Sequence, residues 1–182
     1  FQVTPNVDTA VGYYFTGLQV AAADDSDNLV VGIPYDQKVR FVDSTGNIEL
    51  NFSASTNSLL GRSVAISKDG TTVAASAPGD NKIHIARKID SSTWMYEESS
   101  GTSVGLLGND FGSSLAINED GTSIAIGSKN HDADQDIDKG SVTVMIKKDA
   151  VWIQLGQTLT GERGEGVSGG YYYVGDKFGE SV

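Results

Sequence analysis

The chain has 182 residues, a length that suits one domain or a short row of repeated units. It holds no Cys, which excludes disulfides, cysteine–zinc and iron–sulfur sites, and thiol catalysis. With 24 Asp plus Glu against 13 Lys plus Arg, the net charge is −11; such a surface repels phosphate backbones, sets nucleic acid aside as a partner and favours divalent cations.

The opening Phe1-Gln2-Val3-Thr4 fits the last strand of a preceding unit. A first repeat, about residues 12–59, runs from Gly17-Leu18-Gln19-Val20 through an acidic turn at Asp24–Asn28 to Val30-Val31-Gly32-Ile33-Pro34. Its outer pair is Lys38–Val42 and Ile48–Phe52, joined by a turn at Thr45-Gly46. A second repeat, about 60–107, begins at Leu60-Gly61-Arg62-Ser63-Val64-Ala65-Ile66. There Asp69-Gly70 is expected to supply the positive φ angles of a tight hairpin, and Val73 and Ala75 resume the alternation. Lys82–Ala86 and Thr93–Tyr96 give its third and fourth strands.

The third repeat, about 108–174, opens with Phe111-Gly112-Ser113-Ser114-Leu115-Ala116-Ile117, which aligns on the second without a gap. It turns at Asp120-Gly121, continues through Ser123–Ser128 and Ser141–Ile146, and ends in the aromatic strand Val151–Leu155. Two insertions enlarge it. One is the acidic loop Asn130–Lys139. The other is the linker Gly161–Tyr173, read as a long surface loop in which Tyr171-Tyr172-Tyr173 is either a strand start or an exposed aromatic patch. Phe178-Gly179-Glu180-Ser181-Val182 starts a further repeat at 175–182. The shared Gly recurs at spacings of 44, 51 and 67 residues, a period typical of propeller blades or β-solenoids. No segment combines 3.6-residue periodicity with helix caps, and no apolar run approaches the roughly 20 residues of a membrane span. The predicted class is all-β, with four-stranded antiparallel units.

These motifs resemble FG-GAP-type repeats. The resemblance rests on Asn109-Asp110-Phe111-Gly112, on Gly175-Asp176-Lys177-Phe178-Gly179 and on the Asp-Gly hairpins. Ala77-Pro78, Gly140–Val144 and the run Trp152–Glu162 fit the rest of the pattern. It covers about residues 12–182, weakly in the first unit, where Phe15-Thr16-Gly17 stands for Phe-Gly. The form is similar to that of large secreted or surface proteins of algae and bacteria, and distantly to integrin α-chains. The resemblance implies a β-propeller of four-stranded blades, usually seven, acting in adhesion and recognition at the cell surface or outside the cell. The integrin-type calcium loop is missing from the hairpins, which hold only Asp69-Gly70 and Asp120-Gly121, so calcium does not carry over to those positions.

The sharpest candidate site is the run His131–Asp138, whose Asp132, Asp134, Asp136 and Asp138 place a carboxylate at every second position. Calcium takes six to eight oxygen ligands, so this loop is either a calcium site or a solvated acidic turn. An EF-hand is excluded because Ile137 stands where its Gly belongs. Asp24–Asn28 is a second acidic cluster, read first as an exposed turn. His84, between Ile83 and Ile85, is expected to point to the opposite face and into solvent. Trp94 and Trp152 recur at equivalent places and read as packing between sheets. No Ser stands in a nucleophile elbow, and no Gly run carries the Lys of a phosphate loop. Asn51-Phe52-Ser53 is the one glycosylation sequon.

Three units cannot close a propeller of at least four blades. The expectation is therefore a segment of a longer protein, or copies that assemble, with other chains or further blades as partners and glycans as a further candidate. The function expected is a non-enzymatic extracellular adhesion or structural module. The alternatives are a polysaccharide-acting hydrolase, or a lectin-like propeller using Tyr171–Tyr173.

Overall fold

The computed structural model describes residues 18–100, 110–132, 138–168 and 171–182. The expected strand at Phe1–Thr4 and the entry motif Phe15-Thr16-Gly17 lie outside these residues.

The first sheet is a meander of β1 (Gln19–Ala22), β2 (Leu29–Ile33), β3 (Lys38–Asp43) and β4 (Gly46–Leu50). The second repeats it with β5 (Val64–Ile66), β6 (Thr72–Ala77), β7 (Lys82–Lys88) and β8 (Trp94–Ser100). The third does so with β9 (Ser114–Ile117), β10 (Ser123–Ser128), β11 (Ser141–Lys148) and β12 (Val151–Gln154). There β13 (Leu159–Thr160) continues the outer edge by pairing with Ser141 and Val142 of β11. All these pairings are antiparallel. The linker is not a plain loop: β14 (Gly166–Ser168) and β15 (Tyr171–Tyr173) pair within it. Tyr171–Tyr173 is thus a strand.

The inner hairpins differ from the expected two-residue turn. In the β5–β6 turn the Gly70 amide donates to the Ser67 carbonyl at 2.9 Å, and only Gly70, at φ 73°, enters the left-handed region. Asp69 keeps ordinary dihedrals because the turn is a four-residue one with Gly last, which needs one positive φ and not two. The β9–β10 turn is the same, with Gly121 N donating to Asn118 O at 3.1 Å.

Strand alternation gives each sheet two faces, and the second sheet buries both. On one side Val73, Ala75, Ala77 and Trp94 pack with Val30, Val39, Phe41 and Leu50 of the first sheet. On the other, Ala74, Ile83 and Ile85 pack with Phe111, Leu115, Ile124, Ile126, Met145 and Trp152 of the third. All six residues of β6 are buried, and their small side chains let the inner strands of three sheets approach one another. His84 does lie opposite Ile83 and Ile85, yet it is only 1 % exposed. Its ring sits 5.4 Å from that of Phe52, because the chain leaving β4 covers the face that alternation alone assigned to solvent.

The Gly that marks each repeat has a steric cause. Gly61 and Gly112 have φ of 87° and 83°, and each lies on the preceding sheet's second strand. A Cβ on Gly112 would come within 2.6 Å of Ser76 Cβ, and one on Gly32 within 2.2 Å of Gly61 O. Gly179, at φ 86°, seats in the same way on Gly127. The hairpin tips are also tied in series: Asp25 N donates to Lys68 O at 2.9 Å, and Lys68 N to Glu119 O at 3.1 Å.

Candidate functional site

The acidic loop leaves β10 and returns to β11. Its base is closed by backbone bonds, from His131 N to Ser128 O at 3.1 Å and from Gly140 N to His131 O at 3.0 Å. Near the return, Asp138 takes a left-handed φ of 54° and its amide donates to Asp132 Oδ1 at 2.9 Å. Asp132 is exposed and Asp138 half-buried. Asp134 and Asp136 lie outside the described residues.

The linker adds groups to this end of the loop. Gly175 lies so close that a Cβ there would stand 2.3 Å from Asp138 O and 3.2 Å from Glu165 N. Lys177 N approaches Asp138 O at 3.4 Å, and Phe178 N donates to Lys139 O at 3.0 Å. Burial pushes the Asp138 carboxyl above its ordinary value; repulsion from Glu165 and Asp132 adds to this, and Lys177 opposes it. The structure therefore brings together Asp132, Asp138 and Glu165. Sequence spacing could not reveal Glu165, which lies far along the chain in a Gly-rich run. Among the described residues no three His, Cys, Asp or Glu are grouped closely enough to hold a metal ion. What the arrangement offers chemically is a crowded carboxylate pair, Asp138 with Glu165. Such a pair is relieved either by a proton or by a cation with oxygen preference.

The second acidic cluster is a docked turn. Asp24, Asp25 and Asp27 are exposed, while Ser26 and Asn28 lie against Gly70 of the next hairpin.

Elsewhere the charged groups join sheets. Lys147 Nζ reaches Glu97 Oε1 at 2.5 Å, and Trp152 Nε1 donates to Glu97 Oε2 at 3.1 Å. At the previous junction Lys88 Nζ stands 3.5 Å from Asp43 Oδ2 and 4.8 Å from the centre of the Phe41 ring, which packs edge-on against Trp94. Lys88 and Lys147 occupy equivalent places on β7 and β11, each cross-strand from a Trp. The two Trp do pack between sheets. Their lysine and carboxylate companions were invisible in the sequence because stacking alone selects them.

No protein-family model matches the chain, and no curated protein matches it either. Solved structures do. Hydrazine synthase from Kuenenia stuttgartiensis aligns over 89% of this chain and 41% of its own, with TM-score 0.52 and 14% identity. A functionally unknown protein from Desulfotomaculum acetoxidans aligns over 81% and 43%, with TM-score 0.51 and 13% identity. The Swd1 β-propeller domain of Myceliophteria thermophila aligns over 81% and 44%, with TM-score 0.51 and 12% identity. The chain spans less than half the length of each. Three stacked four-stranded antiparallel sheets and this likeness make the fold a partial β-propeller.

Proposed function

We propose that the chain is a non-enzymatic adhesion or structural module of FG-GAP type, working outside the cell or at its surface. Its open blade faces meet further blades, carried by the same polypeptide or by another chain. In this reading calcium binds at the acidic loop, through Asp132, Asp138 and their neighbours Asp134 and Asp136, with Glu165 alongside. The observation that carries the reading is the use of the acidic side chains. Asp43, Asp69, Asp90 and Asp120 each hold their own turn, while Asp43 and Glu97 tie one blade to the next. That chemistry builds a rigid scaffold that presents loops, which is what a recognition module requires. Fold likeness at this identity speaks to architecture, so function is argued from these residues.

The test is a calcium titration with two readouts. Beads coated with the chain are expected to cluster in millimolar calcium and to disperse with a chelator. The melting temperature should rise in step with ion binding, and this rise should vanish in Asp132→Asn and Asp138→Asn. Beads that stay dispersed in calcium would sink the adhesion reading. An unmoved melting temperature would sink the ion site.

A further inference from the structure

We propose that Asn51 is an N-glycosylation acceptor, modified with an oligosaccharide from a lipid-pyrophosphate donor. The chain contains one Asn-x-Ser/Thr tripeptide, Asn51-Phe52-Ser53, and the fold leaves its Asn and its Ser exposed. Asn51 is the first residue beyond β4, the outer strand of its blade. The backbone bends there, with Phe52 N donating to Leu50 O at 3.0 Å, and Asn51 N donates to Tyr96 Oη at 3.1 Å. Phe52 turns inward, its ring 5.5 Å from Tyr96 and 5.4 Å from His84. Asn51 and Ser53 on either side of it are exposed. The amide and the hydroxyl two residues on are thus both presented to solvent, while the middle residue anchors the tripeptide.

In the transfer, Asn51 Nδ2 bonds to the anomeric carbon of the donor sugar. The anomeric C–O bond to the lipid pyrophosphate breaks, the pyrophosphate leaves with the electron pair, and one amide proton passes to a base of the transferase. No oxidant or reductant is involved.

The inference rests on the extracellular reading for its biological occasion, but its test does not. The chain is expressed behind a cleavable signal peptide in a eukaryotic host, and medium and lysate are analysed with and without peptide-N-glycosidase F. The expected result is a mobility shift on digestion of wild type and Ser53→Thr, and none for Asn51→Gln or Ser53→Ala. Melting temperatures of the two unglycosylated variants, made in bacteria, should equal that of the bacterial wild type, because both side chains are exposed. Wild-type chain that has lost its signal peptide yet shows no shift in either fraction would overturn the site. Since the host supplies the address, that result would leave the adhesion reading to be judged by the bead assay.

Discussion

Four aspartates repeat one small device: a carboxylate that accepts hydrogen bonds from the residues just after it. The Thr122 hydroxyl and amide hold Asp120 below its ordinary value, and those of Thr45, with Lys88, do the same for Asp43. Backbone and hydroxyl donors from Ser92 and Thr93 lower Asp90. At Asp69 burial pushes the carboxyl up, but Ser67 and Thr71 outweigh it, and the net direction is down. A carboxylate lowered on folding stabilises the native state fully above its unfolded value of about 3.9 and loses that contribution as pH falls through the folded value. Asp138 works the other way, since its raised value favours the folded state only as the group takes up a proton. At Asp80 burial is likewise outweighed, by the Ser55 hydroxyl and amide, and the carboxyl is lowered as well. Five lowered groups against one raised one predict a melting temperature that drops below about pH 4. Asp120→Asn keeps an acceptor oxygen but cannot titrate. Thermal melts from pH 7 to pH 3 should show a shallower acid slope for it than for wild type, and identical slopes would refute the assignment.

At the level of the strand and its turn, sterics dominate. Gly112 and Gly156 both hold left-handed dihedrals, at φ 83° and 70°, but only Gly112 is pressed against a neighbour; nothing lies within 4 Å of a Cβ on Gly156. Gly156→Ala should therefore cost about 1 kcal/mol, the backbone penalty alone. Gly112→Ala must also move the Ser76 side chain and should cost about 2 kcal/mol or more. Urea unfolding of the two variants measures the difference, and equal losses would mean the seat on Ser76 does not matter. This is also where the sequence was most readable. Alternation, Asp-Gly turns and a recurring Gly are local signals, and each strand obeys its own. What they do not carry is the neighbour. His84 was assigned to the correct side, but the cover provided by Phe52 comes from another unit. Glu165 joins Asp138 only because the linker folds back across the third sheet.

Across the whole molecule the three blades are alike in plan but not in exposure. Val39 and Phe41 of the first blade and Ile83 and Ile85 of the second are fully buried, each pair lying against the next blade. The equivalent Val142 and Val144 of the third are only half-buried, and beside them Ile153, Leu155 and Leu159 are 40%, 54% and 56% exposed. No carboxylate matches Glu97 on this face, since Leu155 stands at its place in the register. An apolar face of this kind drives association. Light scattering across a concentration series should find the chain self-associating, and Leu155→Lys should return it toward monomer. A wild type that stays monomeric at high concentration would refute this.

The row of hydrogen bonds joining the hairpin tips has a direction. Each tip gives its amide to the blade ahead and offers its carbonyl to the blade behind, from Asp25 to Lys68 to Glu119. The two ends of the stack are therefore unlike, as the ends of an actin-like polymer are unlike. Any blade that continues the row must join head to tail. Copies of this segment extended through their tips would give a closed ring or an open filament, but not a pair related by a two-fold axis.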